Sequence, residues 1–218
     1  MVKDIDELTG RIERLRRAGD RVLIGIVGEP GSGKSTVSAA LADRLGDDAA
    51  VVPMDGFHLA NSELARLGRS DRKGAIDTFD ADGYVHLLRR LRDQQESVVY
   101  APDYVRGMEE SVAGSIPVPR KLPVVITEGN YLLDAEEPWC QVRSLLDEVW
   151  FTHTPRDIRI ARIVARHIRF GMDEAVAKAW ASGPDQVNAD RVRAMRSGAD
   201  LVVDAGVLPQ RWINCPRW

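Results

Sequence analysis

Arg21–Ser35 reads RVLIGIVGEPGSGKS. The run Arg21–Val27 is β-branched and apolar without alternation, which predicts a strand covered on both faces. Gly28–Ser35 (GEPGSGKS) then matches G-x-x-x-x-G-K-[ST] in full, directly after that strand and directly before a helix predicted over Lys34–Leu45. The chemistry needs this order. Gly28, Gly31 and Gly33 let the backbone turn tightly, so its N–H groups converge on phosphate oxygens, and the helix N-terminus adds its dipole there. Lys34 is placed for the β- and γ-phosphates and Ser35 for Mg²⁺. Glu29, Pro30 and Ser32 complete the loop and Thr36 follows it, so Gly28–Thr36 is the expected site for ATP with Mg²⁺.

Outward from this loop, Ile5, Leu8, Ile12 and Leu15 predict an amphipathic helix over Asp4–Arg17, stopped by Gly19 and Asp20. Ala50–Met54, Leu122–Thr127, Glu148–Thr152 and Ala199–Asp204 predict further buried strands, although Pro53 counts against the first. Helices are predicted over Ala81–Gln94, Trp139–Leu146, Met172–Ala181 and Pro184–Arg196. Another is predicted over Pro155–Phe170, with Thr154 as cap and Pro155 in the first turn. Asp55–Asp80 reads as irregular around a short helix at Ser62–Leu67, and Ser97–Arg120, with Pro102, Pro117 and Pro119, as a hairpin-like excursion. Buried strands alternating with helices predict an α/β fold, a three-layer α/β/α arrangement around a mainly five-stranded parallel sheet. The expected organisation is one domain over 1–218, with a helical lid at about 155–196 and an acceptor-binding excursion at about 96–120.

At 218 residues the chain can bury a core without disulfides or a structural metal. Thirty Lys and Arg against 33 Asp and Glu leave a net charge of -3, which argues against a dedicated nucleic-acid binder. Cys140 and Cys215 exclude a disulfide scaffold and a four-Cys zinc site and read as reduced thiols. His58, His86, His153 and His167 show no metal-ligand spacing. The N-terminal stretch is studded with charge and lacks an apolar signal core, and Val22–Val27 is too short to span a bilayer. The expected location is the cytoplasm, with no membrane contact.

In a parallel sheet, ligands bind outside the carboxyl ends of the strands. Asp55 follows the second strand, so it points toward the crevice that holds Lys34, where a carboxylate can take the proton of an attacking hydroxyl or hold Mg²⁺ through water. Glu128 ends the third strand and is the candidate acid for metal or for substrate beside Ser35. Pro155–Phe170 carries Arg156, Arg159, Arg162, Arg166 and Arg169 against one acid, Asp157. The last four arginines fall within about 80° of one another on a helix. One face is then expected to be cationic and the other, with Ile160, Ile163, Val164 and Ile168, packed. The cationic face suits a cover that brings Arg over a transferring phosphoryl group.

These residues resemble the P-loop small-molecule kinases that comprise uridine kinase, phosphoribulokinase and bacterial type I pantothenate kinase. Met54–Asn61 (MDGFHLAN) and Arg72–Tyr84 (RKGAIDTFDADGY) resemble the pantothenate kinase stretch after the second strand, and Glu128–Leu133 (EGNYLL) resembles the Glu-Gly strand end of the whole group. Together with PDYVR, FTHTP, ARHIRFG and DQVNA, they look most similar to a bacterial branch labelled nucleoside/nucleotide kinase-like or fructose transport system kinase. The resemblance spans roughly Arg21 to Asp204. It implies Asp55 as catalytic base, Lys34 and Ser35 as ATP and Mg²⁺ residues, and Arg166 as the lid Arg, with Arg162 one turn earlier. It also implies that Asp80 holds substrate hydroxyls and that Tyr104 and Arg106 bind the acceptor. Pantothenate kinases have His where Arg106 aligns; Arg there suits an acceptor carrying phosphate or carboxylate, or a polyol. His58 reads either as an acceptor contact or as a structural histidine. Relatives of this type are often dimers or tetramers, so the resemblance allows a homodimer.

The expected function is ATP-dependent transfer of a phosphoryl group to a hydroxyl of a small molecule such as a sugar or nucleoside. The alternative is a nucleotide-dependent NTPase or regulator without such an acceptor. Trp139, Trp150 and Trp180 fit packing positions; Trp212 and Trp218 lie in a tail that reads as an adenine cover, a subunit contact or a loose terminus. The Asp185–Ala189 segment reads as lid packing or a nucleotide contact.

Overall fold

The computed structural model describes residues 1–2, 4–16 and 21–206. Gly19, Asp20, Cys215, Trp212 and Trp218 lie outside the described residues, as do the roles expected of them. The elements in chain order are α1 (Ile5–Arg16), β1 (Val22–Gly28), α2 (Lys34–Leu45), β2 (Ala49–Pro53), α3 (Asn61–Arg66) and α4 (Ala81–Asp93). There follow β3 (Val98–Val105), β4 (Glu110–Pro119), β5 (Val124–Gly129), α5 (Val142–Leu145) and β6 (Glu148–His153). The chain continues through α6 (Arg156–Arg169), α7 (Glu174–Ser182), α8 (Pro184–Ala194) and β7 (Leu201–Asp204).

β1 is buried along its full length, and the pleat sorts its side chains between two cores. Leu23 and Val27 face Tyr84, Leu88, Leu91, Trp139 and Val192, while Val22, Ile24 and Ile26 face Leu8, Ile12, Val37 and Leu41. The sheet is therefore covered by α4, α5 and α8 on one side and by α1 and α2 on the other, as an unalternated apolar strand requires. The strand order is β2-β5-β1-β6-β7, and every pairing is parallel. β2 is an edge strand, which explains how it tolerates Pro53 at its last position. β1 lies between β5 and β6. The chain leaves β1 toward β2 on one side and later fills the other side, so the reversal of strand order opens a crevice at the carboxyl end of β1.

β3 and β4 form the expected hairpin, antiparallel and separate from the main sheet. It lies tightly on the turn after β2: a Cβ on Gly56 would come within 2.4 Å of the Pro102 carbonyl oxygen. Ser111 Oγ also donates to the His58 carbonyl at 3.2 Å. Among the described residues no helix is long and apolar enough to cross a membrane.

Candidate active site

The loop Gly28–Ser35 turns at Gly31 (φ +75°) and Gly33 (φ +93°), conformations that favour glycine. It is held from three directions. Ser32 Oγ and Thr152 Oγ1 share a hydrogen bond of 2.7 Å. Thr154 Oγ1 donates to the Ser32 carbonyl at 2.9 Å. Above the loop lies α6, so close that a Cβ on Gly31 would meet the Arg159 carbonyl at 2.7 Å. Thr154 is therefore not the cap of α6: Pro155 occupies that position, and the Thr154 hydroxyl is spent on the loop.

Lys34 Nζ donates to the Gly28 carbonyl at 2.9 Å and to Asn130 Oδ1 at 2.7 Å. Ser35 Oγ donates to Glu128 Oε1 at 2.9 Å. Both side chains are thus aimed at the crevice by the first turn of α2, with partners from the end of β5. Glu128 is fixed by register, opposite Ile26 of β1 and Pro53 of β2. Asp55, in the turn after β2, pairs with Arg106 Nη2 at 3.1 Å. One cavity of about 430 Å³ joins Lys34, Ser35, Asp55, Glu128, Tyr104 and Arg106, and Arg166, His58 and Pro30 also line it.

Burial pushes the Asp55 carboxyl up, but His58, Arg106, Lys34 and Arg166 outweigh it and hold the group below its ordinary value. Glu128 moves the other way, raised by burial and by the Asp55 charge against the opposing pull of Lys34 and Ser35. Two acids in one crevice thus separate into an ionised carboxylate, Asp55, and one that ionises less readily. Burial lowers the Lys34 ammonium, opposed by Glu128 and Asp55. Burial likewise lowers Arg166, helped by Arg106.

Several expected site residues lie elsewhere. Asp80 is exposed and caps α4, its carboxylate accepting from Gly83 N–H at 2.9 Å; it does not line the cavity. Glu29 turns away from the crevice. Its buried carboxylate takes Arg193 at 2.6 Å and the fully buried Arg159 at 3.1 Å, so it serves α6 and α8. Arg159 Nη1 also donates to the Pro30 carbonyl at 3.0 Å. Arg159, Arg162 and Arg166 of α6 therefore turn inward, with Ile163 buried beside them, whereas Arg169, Ile158 and Ile168 are exposed. This reverses the division expected for Ile168, because the loop offers carbonyls and Glu29 rather than apolar surface. Arg162 is half-buried near Thr154 (3.5 Å) and Gly33, beside the loop and outside the cavity lining. Thr36 is half-buried in the first turn of α2 and does not line the cavity. Trp139 and Trp150 are core residues, but Trp180 lines the cavity.

Asn130 and Lys73, to which the sequence assigns no role, both line the cavity. Asn130 directly follows Glu128-Gly129, and Lys73 belongs to the quoted RKGAIDTFDADGY stretch, so each carried a positional signal. Asp185 and Asn188 reach the same cavity from α8, with Asp185 Oδ2 accepting from His167 Nε2 at 3.0 Å. Among the described residues no group of three or more His, Cys, Asp or Glu is arranged to hold a metal. The donor set at Ser35 and Glu128 fits Mg²⁺, which is commonly held by one or two carboxylates together with substrate phosphates.

Comparison with known proteins agrees with this geometry. The Phosphoribulokinase / Uridine kinase family profile matches residues 23–207. A protein of Schizosaccharomyces pombe provisionally named a uridine kinase is 36% identical over 180 residues, covering 78% of this chain and 77% of that one. A solved structure from Silicibacter sp. TM1040, provisionally named a fructose transport system kinase, superposes with a TM-score of 0.80 at 36% identity, covering 91% of this chain and 98% of that one. YFH7 from Saccharomyces cerevisiae shares the fold, with a TM-score of 0.79 at 17% identity over 92% of this chain and 98% of that one. A glycine-turned loop before a helix and an acid lining the same cavity thus coincide with sequence kinship: the chain belongs to the phosphoribulokinase/uridine kinase family of P-loop kinases, phosphotransferases that act on a hydroxyl of a small molecule.

Proposed function

We propose that the protein transfers the γ-phosphoryl group of ATP to a hydroxyl of a small metabolite bound between Asp55 and the β3–β4 hairpin. The observation that carries this reading is the single cavity in which the phosphate loop, Asp55 and the hairpin residues Tyr104 and Arg106 meet. An acceptor-free NTPase or switch has no use for that second compartment.

In this reading the loop N–H groups and Lys34 hold the β- and γ-phosphates, Lys34 giving up Asn130 and the loop carbonyls as it does so. Ser35 and Glu128 would hold Mg²⁺, which would supply neutralisation of the phosphate charge. Asp55 takes the proton of the acceptor hydroxyl as the new bond from oxygen to the γ-phosphorus forms and the bond to the β-phosphate's bridging oxygen breaks, releasing ADP. Helices α6–α8 act as a lid: Arg166 enters the cavity to meet charge on the transferred group, and Arg162 supports the loop beneath it.

The test is ATP turnover measured against a panel of sugars, sugar acids, sugar phosphates and nucleosides. At least one acceptor is expected to raise ADP release and to appear phosphorylated. Asp55→Asn is expected to lower that transfer by roughly 10²–10⁴-fold with ATP affinity unchanged. Turnover indifferent to every acceptor would favour the NTPase or switch.

A further inference from the structure

The acceptor end of the cavity carries two cations with donors to spare, Lys73 and Arg106, beside the carboxylates of Asp55 and Glu109. Lys73 lines it from the segment before α4. The neighbouring Gly74 turns at φ +96°, and its carbonyl accepts from Tyr131 Oη at 2.7 Å and Asn188 Nδ2 at 3.3 Å. The backbone presenting Lys73 is therefore fixed from the end of β5 and from α8. Lys73 Nζ donates to Asn61 Oδ1 at 2.6 Å and to the Glu109 carbonyl. An ammonium has three donors, so one remains.

Neither of those acceptors carries charge, and among the described residues no carboxylate forms an ion pair with Lys73. The nearest acids, Glu109 and Glu110, act on Lys73 through their charge and spend their hydrogen bonds on other donors. Glu109 accepts from the Tyr104 hydroxyl at 2.6 Å and from Gly107 N–H at 3.3 Å. Both Glu110 oxygens accept from Asn61 N–H, at 3.0 and 3.3 Å. Lys73 Nζ and the Arg106 guanidinium both lie over the Tyr104 ring, at 5.2 and 5.7 Å from its centroid. Arg106 spends one donor, Nη2, on Asp55. Its other N–H groups remain for a ligand. A neutral hydroxyl acts as donor and acceptor at once and matches such a wall poorly. A carboxylate or phosphate only accepts and matches it well.

We infer that the phosphoryl acceptor is itself an anion: a hydroxylated metabolite that presents its hydroxyl to Asp55 and a carboxylate or phosphate to Lys73 and Arg106. This deepens the kinase reading and rests on it.

Matched acceptors with and without the anion separate the two: glycerate against glycerol, gluconate against glucitol, ribose 5-phosphate against ribose, with uridine as a neutral nucleoside. The first two pairs report a carboxylate and the third a phosphate. The best anionic acceptor is expected to exceed its neutral counterpart at least tenfold in kcat/KM. Lys73→Met should raise its KM about tenfold to a hundredfold, with kcat within about threefold and KM for ATP unchanged. Lys73→Arg, which keeps the charge, should recover most of the loss, and equal thermal unfolding midpoints exclude a folding defect. A neutral acceptor preferred over every anionic one, or an unchanged KM in Lys73→Met, overturns the inference and leaves the kinase reading standing. No turnover with any acceptor overturns both.

Discussion

His58 carries two readings in the sequence, and its surroundings combine them. Its ring lies 4.1 Å from the Phe79 centroid and 4.7 Å from Tyr104, and Nδ1 is 2.8 Å from the Asp55 carbonyl, yet it also lines the cavity. Burial pushes the imidazole below its ordinary range, partly opposed by Asp55, so it stays neutral at pH 7. An unfolded His takes a proton near pH 6.5, whereas this one does so only at lower pH. The unfolded chain then binds more protons over that interval, and stability falls as pH drops below about 6.5. Tm is expected to decline between pH 7 and 5, and His58→Gln should flatten part of that decline. An equally steep fall in the variant would remove His58 as its source. Lys34, Ser35 and Asp55 were legible in the sequence because a loop motif and two strand ends fix them locally. Glu29 was not: its partner Arg193 lies 164 positions away, and nothing within GEPGSGKS shows which way that carboxylate turns.

At the scale of elements, α6 is where pattern and packing part company. Its arginines read as a cationic face over the transferring phosphoryl group, and its isoleucines, Ile168 among them, as the packed face. The surface it actually meets is the phosphate loop, whose carbonyls and Glu29 carboxylate require donors. Arg159 is 1% exposed and Glu29 5%, so theirs is a buried pair. Removing the charge from one member leaves the other uncompensated, at a cost of about 3 kcal/mol. Glu29→Gln is therefore expected to lower Tm by roughly 6–12 °C. Thermal unfolding of the two proteins checks this, and an unchanged Tm would show that the pair does not anchor α6. The parallel strands and the hairpin were readable because buried strands and proline-marked turns are local properties. The cap assigned to Thr154 failed because the hydroxyl found a tertiary partner, the Ser32 carbonyl.

At the scale of the whole molecule, the order β2-β5-β1-β6-β7 brings the ends of β1, β2 and β5 into one crevice. A ligand bound only by the folded state stabilises it by mass action, about 2.7 kcal/mol at a hundredfold excess over Kd. Mg·ATP at that excess should raise Tm by roughly 5–11 °C. Chelation of Mg²⁺ should remove much of the rise, because Ser35 and Glu128 then face phosphates without a counter-charge. No shift with saturating Mg·ATP would contradict the nucleotide site. The sequence by itself determined the α/β class, the phosphate loop and the acid that follows the second strand, because each depends on neighbours within a few residues. Only the tertiary structure decided that Asp80 caps a helix, that Glu29 clasps α6 and α8, and that Lys73 joins Arg106 at the acceptor end. Those outcomes depend on which donors and acceptors from distant segments are left unpaired once the chain has packed, and hydrogen-bond satisfaction in a buried site is settled by the whole fold.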